Sequence, residues 1–410
     1  GILNSDTETH NIVGETLKAD KVVTGHYSMP ETGKGLNAYI AMGSRNCHES
    51  TRAIDALEKM RRGETAFFRE GSAWHDLKEV SKAIVGKTLD TRYASLCSDD
   101  THPNTLVGKG HLDHIIRRAV EEGIDILTAI QMVTINTATS FRMDNELGSI
   151  APSKCADIVF IDDLKSLNVT KVMIDGKLVA ENGKLTFDIA NYQYPDWATN
   201  SMKIRDTISA DSFRLASPDN KQQHTVRVIE VIPARVGTVA AKAVLTAKHG
   251  LLSSDTQQDI LKAVVFERHN RTGTKGFGFV KGFGIKNGAM ASTVAHDAHN
   301  LMVIGTCDED MALAANTLIA SGGGLVTVRD GKVLAHVPLP IAGLMNDKTA
   351  VEMSVLVQKL ESSWIEIGCA MPSPFMTMAL IPLACLPELR LTNRGLVDSN
   401  AFVFVDLLLD

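Results

Sequence analysis

Residues 1–147 alternate short apolar runs with stretches of helical spacing, and that rhythm constrains the fold more than any other feature. "DKVVTGH" is a β-run. "STRAIDALEKMRRG" has helical spacing, with Ile54, Leu57 and Met60 at i, i+3 and i+6 and charges between them. "ETAFFREGS" is strand-like, "AWHDLKEVSKAIVGK" helical and "RYASLCSDD" a strand. "HLDHIIRRAVEEG" and "DILTAIQMVTINTATSF" read as helices, the second opening on Asp125. Alternating β and α segments imply parallel strands, in a barrel or a doubly wound sheet. In such folds chemistry collects at the carboxyl ends of the strands. His26, His48, Asp99 and Asp100 all fall at such ends.

The character changes at residue 148. Residues 148–190 hold short β-runs, "LGSIAPSKCADIVFIDD" and "VTKVMIDGKLVAENGKLTF", with an Asp175-Gly176 hairpin turn. Residues 191–225 are polar and irregular and read as a linker. Residues 226–410 read as a C-terminal α/β or α+β unit. "DGKLVAENGK" and "DGKVLAHVP" look alike, and a shared type I′ turn explains the likeness better than a repeat.

At 410 residues the chain is expected to form several domains, since one core seldom grows past roughly 250–300 residues. A net charge of -6 argues against a nucleic-acid partner, which needs a basic face. The six cysteines form no CxxC pair and fit free thiols in a reducing cytoplasm. The longest apolar stretch, "FMTMALIPLACLPEL", is short and interrupted by Pro382 and Pro387, so no membrane span is expected. The opening residues lack the pattern of a signal peptide. The chain reads as a cytoplasmic protein, and "GILNSDTETHNIVGE" reads as mid-domain sequence.

Neutral imidazole is the commonest protein ligand for metals, and carboxylates complete hard or borderline sites. His26 and His48, from neighbouring strand ends, and an Asp from a later one can converge on one cation. From spacing alone they are equally well read as unrelated histidines, and Asp99-Asp100 as a cap for the helix that follows.

Several segments, taken together, resemble the adenine deaminase family of the amidohydrolase superfamily. They are "TGHYSMPETGKGLNAYIAMGSRNCHES", "SLCSDDTHPNTL", "LGSIAPSKCADIVFIDDL", "RTGTKGFGFVKGFGIKNGAMASTVAHDAHNL" and "MPSPFMTMALIPLACLPELRLTNRGLVD". The likeness covers nearly the whole chain, in order. It implies an α/β fold: part of a (β/α)8 metal-dependent hydrolase barrel at 1–147, a small β-sandwich segment at 148–190, and an adenine-deaminase-type domain at 226–410. By motif, His26 matches the family's fifth-strand metal ligand, His48 the sixth-strand ligand and Asp99 the eighth-strand Asp, with Asp100 the lesser candidate. The cofactor implied is a divalent metal, expected as a pair of Mn, Fe or Zn ions. Such a cation lowers the pKa of water to about 7. Asp99 would then act as general base and acid while water replaces the amine at C6 of adenine, giving hypoxanthine and ammonia.

Glu49 reads either as a partner of the site or as a helix N-terminal carboxylate favoured by the dipole. His102 reads as facing substrate or as a solvated loop residue. The "VAHDAHN" cluster of His296, Asp297 and His299 is expected to face the site, with a turn-stabilising role as the plainer option. The glycines of "GFGFVKGFGIKNG" are assigned to turns and the methionines of "MPSPFMTMA" to packing.

Three departures from the family pattern stand out. The family's first-strand HxH pair does not occur before His26, so the first barrel units are expected upstream or on another polypeptide. Cys47 replaces the Asp of the usual Asp-His-Glu, and sulfur accepts hydrogen bonds only weakly. Tyr27 replaces a common Ala. The leading expectation is therefore an adenine aminohydrolase of purine salvage, homo-oligomeric, acting on a small molecule. Two alternatives remain: an amidohydrolase of another purine or cyclic amide, and a non-catalytic binding or assembly remnant.

Overall fold

The structure, a computed structural model, describes residues 1–218, 221–233 and 235–409; positions 219 and 220 of the expected linker lie outside the described residues. The chain forms two compact units. The first comprises residues 1–101 and 108–191, the second residues 102–107 and those from 192 onward.

The first unit is built on four parallel strands, β1 (Val23–Thr24), β2 (Ser44–Cys47), β3 (Thr65–Arg69) and β4 (Ala94–Cys97), adjacent in chain order. Neighbours in sequence are neighbours in the sheet, as in a barrel arc; no closed barrel forms among the described residues. Every residue of β3 is buried, as a central strand covered on both faces requires. Helix α1 (Thr7–Lys18) precedes β1, α2 (Lys34–Ala41) links β1 to β2, and α3 (Ala53–Arg61) links β2 to β3.

The face that α3 buries differs from the expected stripe. Met60 is buried at 7%, but Ile54 stands 44% exposed; Ala56 and Lys59 take the inner positions instead. Polar contacts of Lys59, described below, set this rotation. The expected helix over 73–87 shortens to Leu77–Val80 and a 3-10 turn at Ser81–Ala83. The long helix expected from Asp125 divides at Thr134 into Ile126–Val133 and Ile135–Ser140. Asp125 caps the first piece by accepting from Leu127 N and Thr128 N, both at 3.1 Å.

Residues 158–185 add four antiparallel strands, β5 (Ile158–Ile161), β6 (Val169–Ile174), β7 (Lys177–Glu181) and β8 (Lys184–Leu185). Asp175 (φ 49°) and Gly176 (φ 72°) form the turn between β6 and β7. Asp330 (φ 51°) and Gly331 (φ 71°) repeat it in the second unit, as a type I′ turn demands at both central positions.

The second unit centres on an eight-stranded sheet. Its strand order is Thr238–Thr246, Gln223–Val231, Lys275–Lys281, Ile260–Phe266, Leu301–Gly305, Ala289–Ser292, Gly324–Arg329 and Lys332–Pro338. All pairings are antiparallel except that of Gln223–Val231 with Lys275–Lys281. Strand Ile260–Phe266 is buried throughout because its alternate residues enter different cores. Leu261, Ala263 and Val265 pack with Val357 and Trp364 of helix Ala350–Glu366. Val264 and Phe266 pack with Met311, Ala315 and Leu318 of helix Asp308–Ala320. Met371 and Met378 of the methionine-rich segment join the first of these cores. The stretch expected as a linker is partly core: Ile208 (4% exposed) and Phe213 (0%) are buried against the second helix. The polar residues around them conceal these two anchors in the sequence.

Candidate metal centre

The carboxyl ends of β1 to β4 bring together side chains that lie far apart in the chain. His26 follows β1 by two residues, His48 directly follows β2, Arg69 ends β3, and Asp99 follows β4 by two residues. The turn into His26 needs glycine, because a Cβ on Gly25 would sit 2.0 Å from the Tyr39 hydroxyl.

His26 Nδ1 lies 2.6 Å from Glu49 Oε1, and His48 Nε2 lies 3.4 Å from the same oxygen. The two imidazoles meet edge-on with centroids 4.8 Å apart. One ligand atom from each of His26, His48 and Glu49 lies within 4.8 Å of the others. Glu49 therefore partners the imidazoles; the acid in the first turn of α3 is Asp55, bonded to Arg52 N at 3.0 Å. Asp99 Oδ2 lies 3.9 Å from His48 Nε2 and accepts from Arg69 Nη1 at 2.7 Å. Asp99 holds φ 59°, a left-handed conformation that Asp tolerates better than most residues.

Asp100 points elsewhere. It accepts from Ala73 N at 3.1 Å, and its Oδ1 is buried with no hydrogen-bond partner. Burial, helped by the neighbouring Asp99 charge, pushes its carboxyl up to about 7. Burial works in the same upward direction on Glu49, but the His26 hydrogen bond and the charges of Arg69 and His48 override it and bring that carboxyl down to about 2. Burial holds His48 below the ordinary imidazole range, against Glu49 and Asp99. A neutral His48 imidazole beside an ionised Glu49 carboxylate is the protonation state a cation requires. Two nitrogens and a carboxylate oxygen are also a donor set suited to borderline divalent metals.

Behind the histidines lies a polar knot that the sequence does not announce. Lys59, 1% exposed, donates to Tyr27 O at 3.2 Å, Cys47 Sγ at 3.2 Å and Ser50 Oγ at 3.1 Å. Cys47 Sγ also accepts from Tyr27 N at 3.2 Å and from Glu49 N at 3.5 Å. The sulfur thus joins the residue after His26 to the residue after His48. Burial raises the Cys47 thiol above its ordinary range, with Lys59 opposing. Tyr27, buried at 4%, donates its hydroxyl to Glu31 O at 2.8 Å.

His102, His296, Asp297 and His299 belong to the second unit. Burial lowers His102. His299 Nδ1 accepts from Ala295 N at 3.1 Å, and its ring meets that of His296 at 5.0 Å. Burial, with the charges of His296 and Arg268, pushes His299 down to about 4.

Comparison with known proteins places this geometry in context. Residues 235–403 match the adenine deaminase C-terminal domain, and residues 87–179 match the amidohydrolase family. An adenine deaminase of Clostridium botulinum (strain ATCC 19397 / Type A) is 68% identical over 410 residues, covering 100% of this chain and 68% of the relative. The chain belongs to the adenine deaminase family. An adenine deaminase of Moorella thermoacetica is 48% identical over 408 residues, 100% of this chain and 68% of that one. An adenine deaminase of Mesorhizobium japonicum is 40% identical over 408 residues, 99% of this chain and 67% of that one. No helix among the described residues is long and apolar enough to cross a membrane.

Proposed function

We infer that this chain carries part of the metal centre of an adenine aminohydrolase, with His26 and His48 as ligands and Asp99 as ligand and proton carrier. The observation that carries the reading is the convergence of His26, His48 and Glu49 at adjoining strand ends, with Asp99 beside them. Membership of the family supplies adenine as the substrate.

A divalent cation held there, one of a pair of manganese, iron or zinc ions, supplies the Lewis acidity that makes water a nucleophile at neutral pH. The chain's own groups do the rest. Glu49, bonded to His26 Nδ1, fixes that ring's tautomer and leaves Nε2 for the cation. Asp99 takes a proton from the attacking water as a C–O bond forms at C6 of adenine. It returns that proton to the exocyclic nitrogen as the C–N bond breaks and ammonia leaves. Adenine and water thus become hypoxanthine and ammonia, a step of purine salvage in the cytoplasm.

The test is ammonia release from adenine by the purified protein after loading with Mn, Fe or Zn. Hypoxanthine and ammonia in equal amounts are expected. Turnover of another purine but not adenine would favour a different amidohydrolase substrate. A protein that binds metal and turns over neither would overturn the catalytic reading.

A further inference from the structure

Arg69 has no place in the proton bookkeeping above, yet it is a buried cation, 2% exposed. It ends an otherwise uncharged run, "TAFF", in a strand buried along its whole length. The β3–β4 register pairs Arg69 with Cys97, which brings its head group to the level of Asp99. Asp76 anchors the guanidinium from behind, with its Oδ2 at 2.8 Å from Nε and 2.7 Å from Nη2. The Trp74 ring lies 5.8 Å away. At the front, Nη1 donates to Asp99 at 2.7 Å and lies 3.8 Å from Glu49 Oε2.

We propose that Arg69, braced by Asp76, is a positioning residue that fixes the Asp99 carboxylate for its part in the deamination. The proposal rests on the functional reading above. Asp99 sits on a loop in a left-handed conformation with its side chain 36% exposed, so its own backbone and packing leave the carboxylate little constrained. A group that carries a proton between water and a leaving amine must hold its place, and a misplacement of about 1 Å costs about 100-fold in rate. The planar guanidinium can grip Asp76 with one edge and Asp99 with another nitrogen, which a lysine ammonium cannot do with fixed geometry. Its charge also offsets the repulsion among Glu49, Asp76 and Asp99 while leaving the cluster net negative, as a cation site requires.

The experiment compares Arg69→Ala, Arg69→Lys and Asp76→Asn in the full chain. It measures kcat and KM for ammonia release from adenine, bound Mn and melting temperature, with and without dilute guanidinium chloride. For Arg69→Ala the expected result is a loss of about 100-fold in kcat with little change in KM or bound Mn. Guanidinium should recover about tenfold of that loss and should not accelerate the wild type. Asp76→Asn, which keeps the guanidinium but loosens its anchor, should lose about tenfold in kcat. Folded Arg69→Lys or Asp76→Asn with wild-type kcat would overturn the proposal, and so would a folded, Mn-containing Arg69→Ala that guanidinium does not rescue. If the wild type binds Mn but releases no ammonia from adenine, the functional reading falls instead. The seat of Arg69 is then read by melting: guanidinium should raise the melting temperature of Arg69→Ala and not of the wild type, and failure to do so counts against the proposal.

Discussion

Each unit of this protein holds a pair of histidines packed edge to face, and the two pairs have nearly the same centroid spacing. The His26–His48 centroids are 4.8 Å apart and the His296–His299 centroids 5.0 Å. Their surroundings are opposite. Glu49 approaches both rings of the first pair, with Asp99 next to it. The second pair lies by Arg268, a buried cation whose Nε donates to His299 O at 2.5 Å and which also donates to Ser201 and Ala342 O. Carboxylates make the first pair a place for positive charge. In the second, His299 spends Nδ1 on its own turn and the nearby guanidinium opposes further positive charge. The lesson is that a pair of imidazoles specifies little until the charge facing it is known.

This contrast can be broken at four points, from the largest effect to the smallest. His48→Ala should cut ammonia release from adenine by about 1000-fold, roughly 4 kcal/mol of barrier, and lower the bound metal measured by mass spectrometry. A smaller loss with full metal content would remove His48 from the centre. In the second unit, Arg268→Met should instead cost stability, about 3 kcal/mol in urea unfolding, because carbonyls that it now satisfies would be left buried and unpaired. Unchanged stability would mean that Arg268 serves some other purpose there.

The third point is the knot behind the first pair. Cys47→Ala removes an acceptor from the buried Lys59 ammonium and should destabilise the first unit by about 2 kcal/mol in the same assay. Cys47→Asp supplies an anionic acceptor and should lose less. Equal losses in the two variants would show that sulfur volume, not hydrogen bonding, matters at this position.

The smallest effect is a pH dependence. His299 is held below its ordinary value, at about 4. Its neutral form is therefore the folded form, and the stability it contributes is fully present above about pH 6.5 and lost as pH falls toward 4. The shift corresponds to about 3 kcal/mol for an enclosed group, and solvent screening of this partly buried ring reduces it to about 1 kcal/mol. Urea unfolding at pH 7 and pH 4.5 should show that loss in the wild type and less of it in His299→Gln. An identical pH response in both would assign the acid sensitivity to another group.

Much of the first unit was legible because its signals are local. Strand runs, the Asp125 cap and the Asp175-Gly176 turn each depend on a few adjacent residues. His26, His48 and Asp99 could be placed at strand ends for the same reason. Helix 53–61 shows where periodicity misleads: Ile54, Leu57 and Met60 fit a core stripe, but the interior position at Lys59 is fixed by acceptors on two other chain segments. Arg69 was missed, although one signal was available: a lone cation closing the apolar run "TAFF" needs partners somewhere. Ile208 and Phe213 were hidden because two apolar anchors in a polar stretch have no period to display.

By itself the sequence determined the alternation of strands and helices, the turn chemistry and the family to which the chain belongs, because these rest on neighbouring residues and on motif order. Only the tertiary structure decided which carboxylate meets which imidazole, that Arg69 lies between Asp76 and Asp99, and that Cys47 and Lys59 tie two strand ends together. Those facts depend on strand register and on through-space distances of a few ångströms, over which charge interactions vary steeply and to which sequence separation gives no guide.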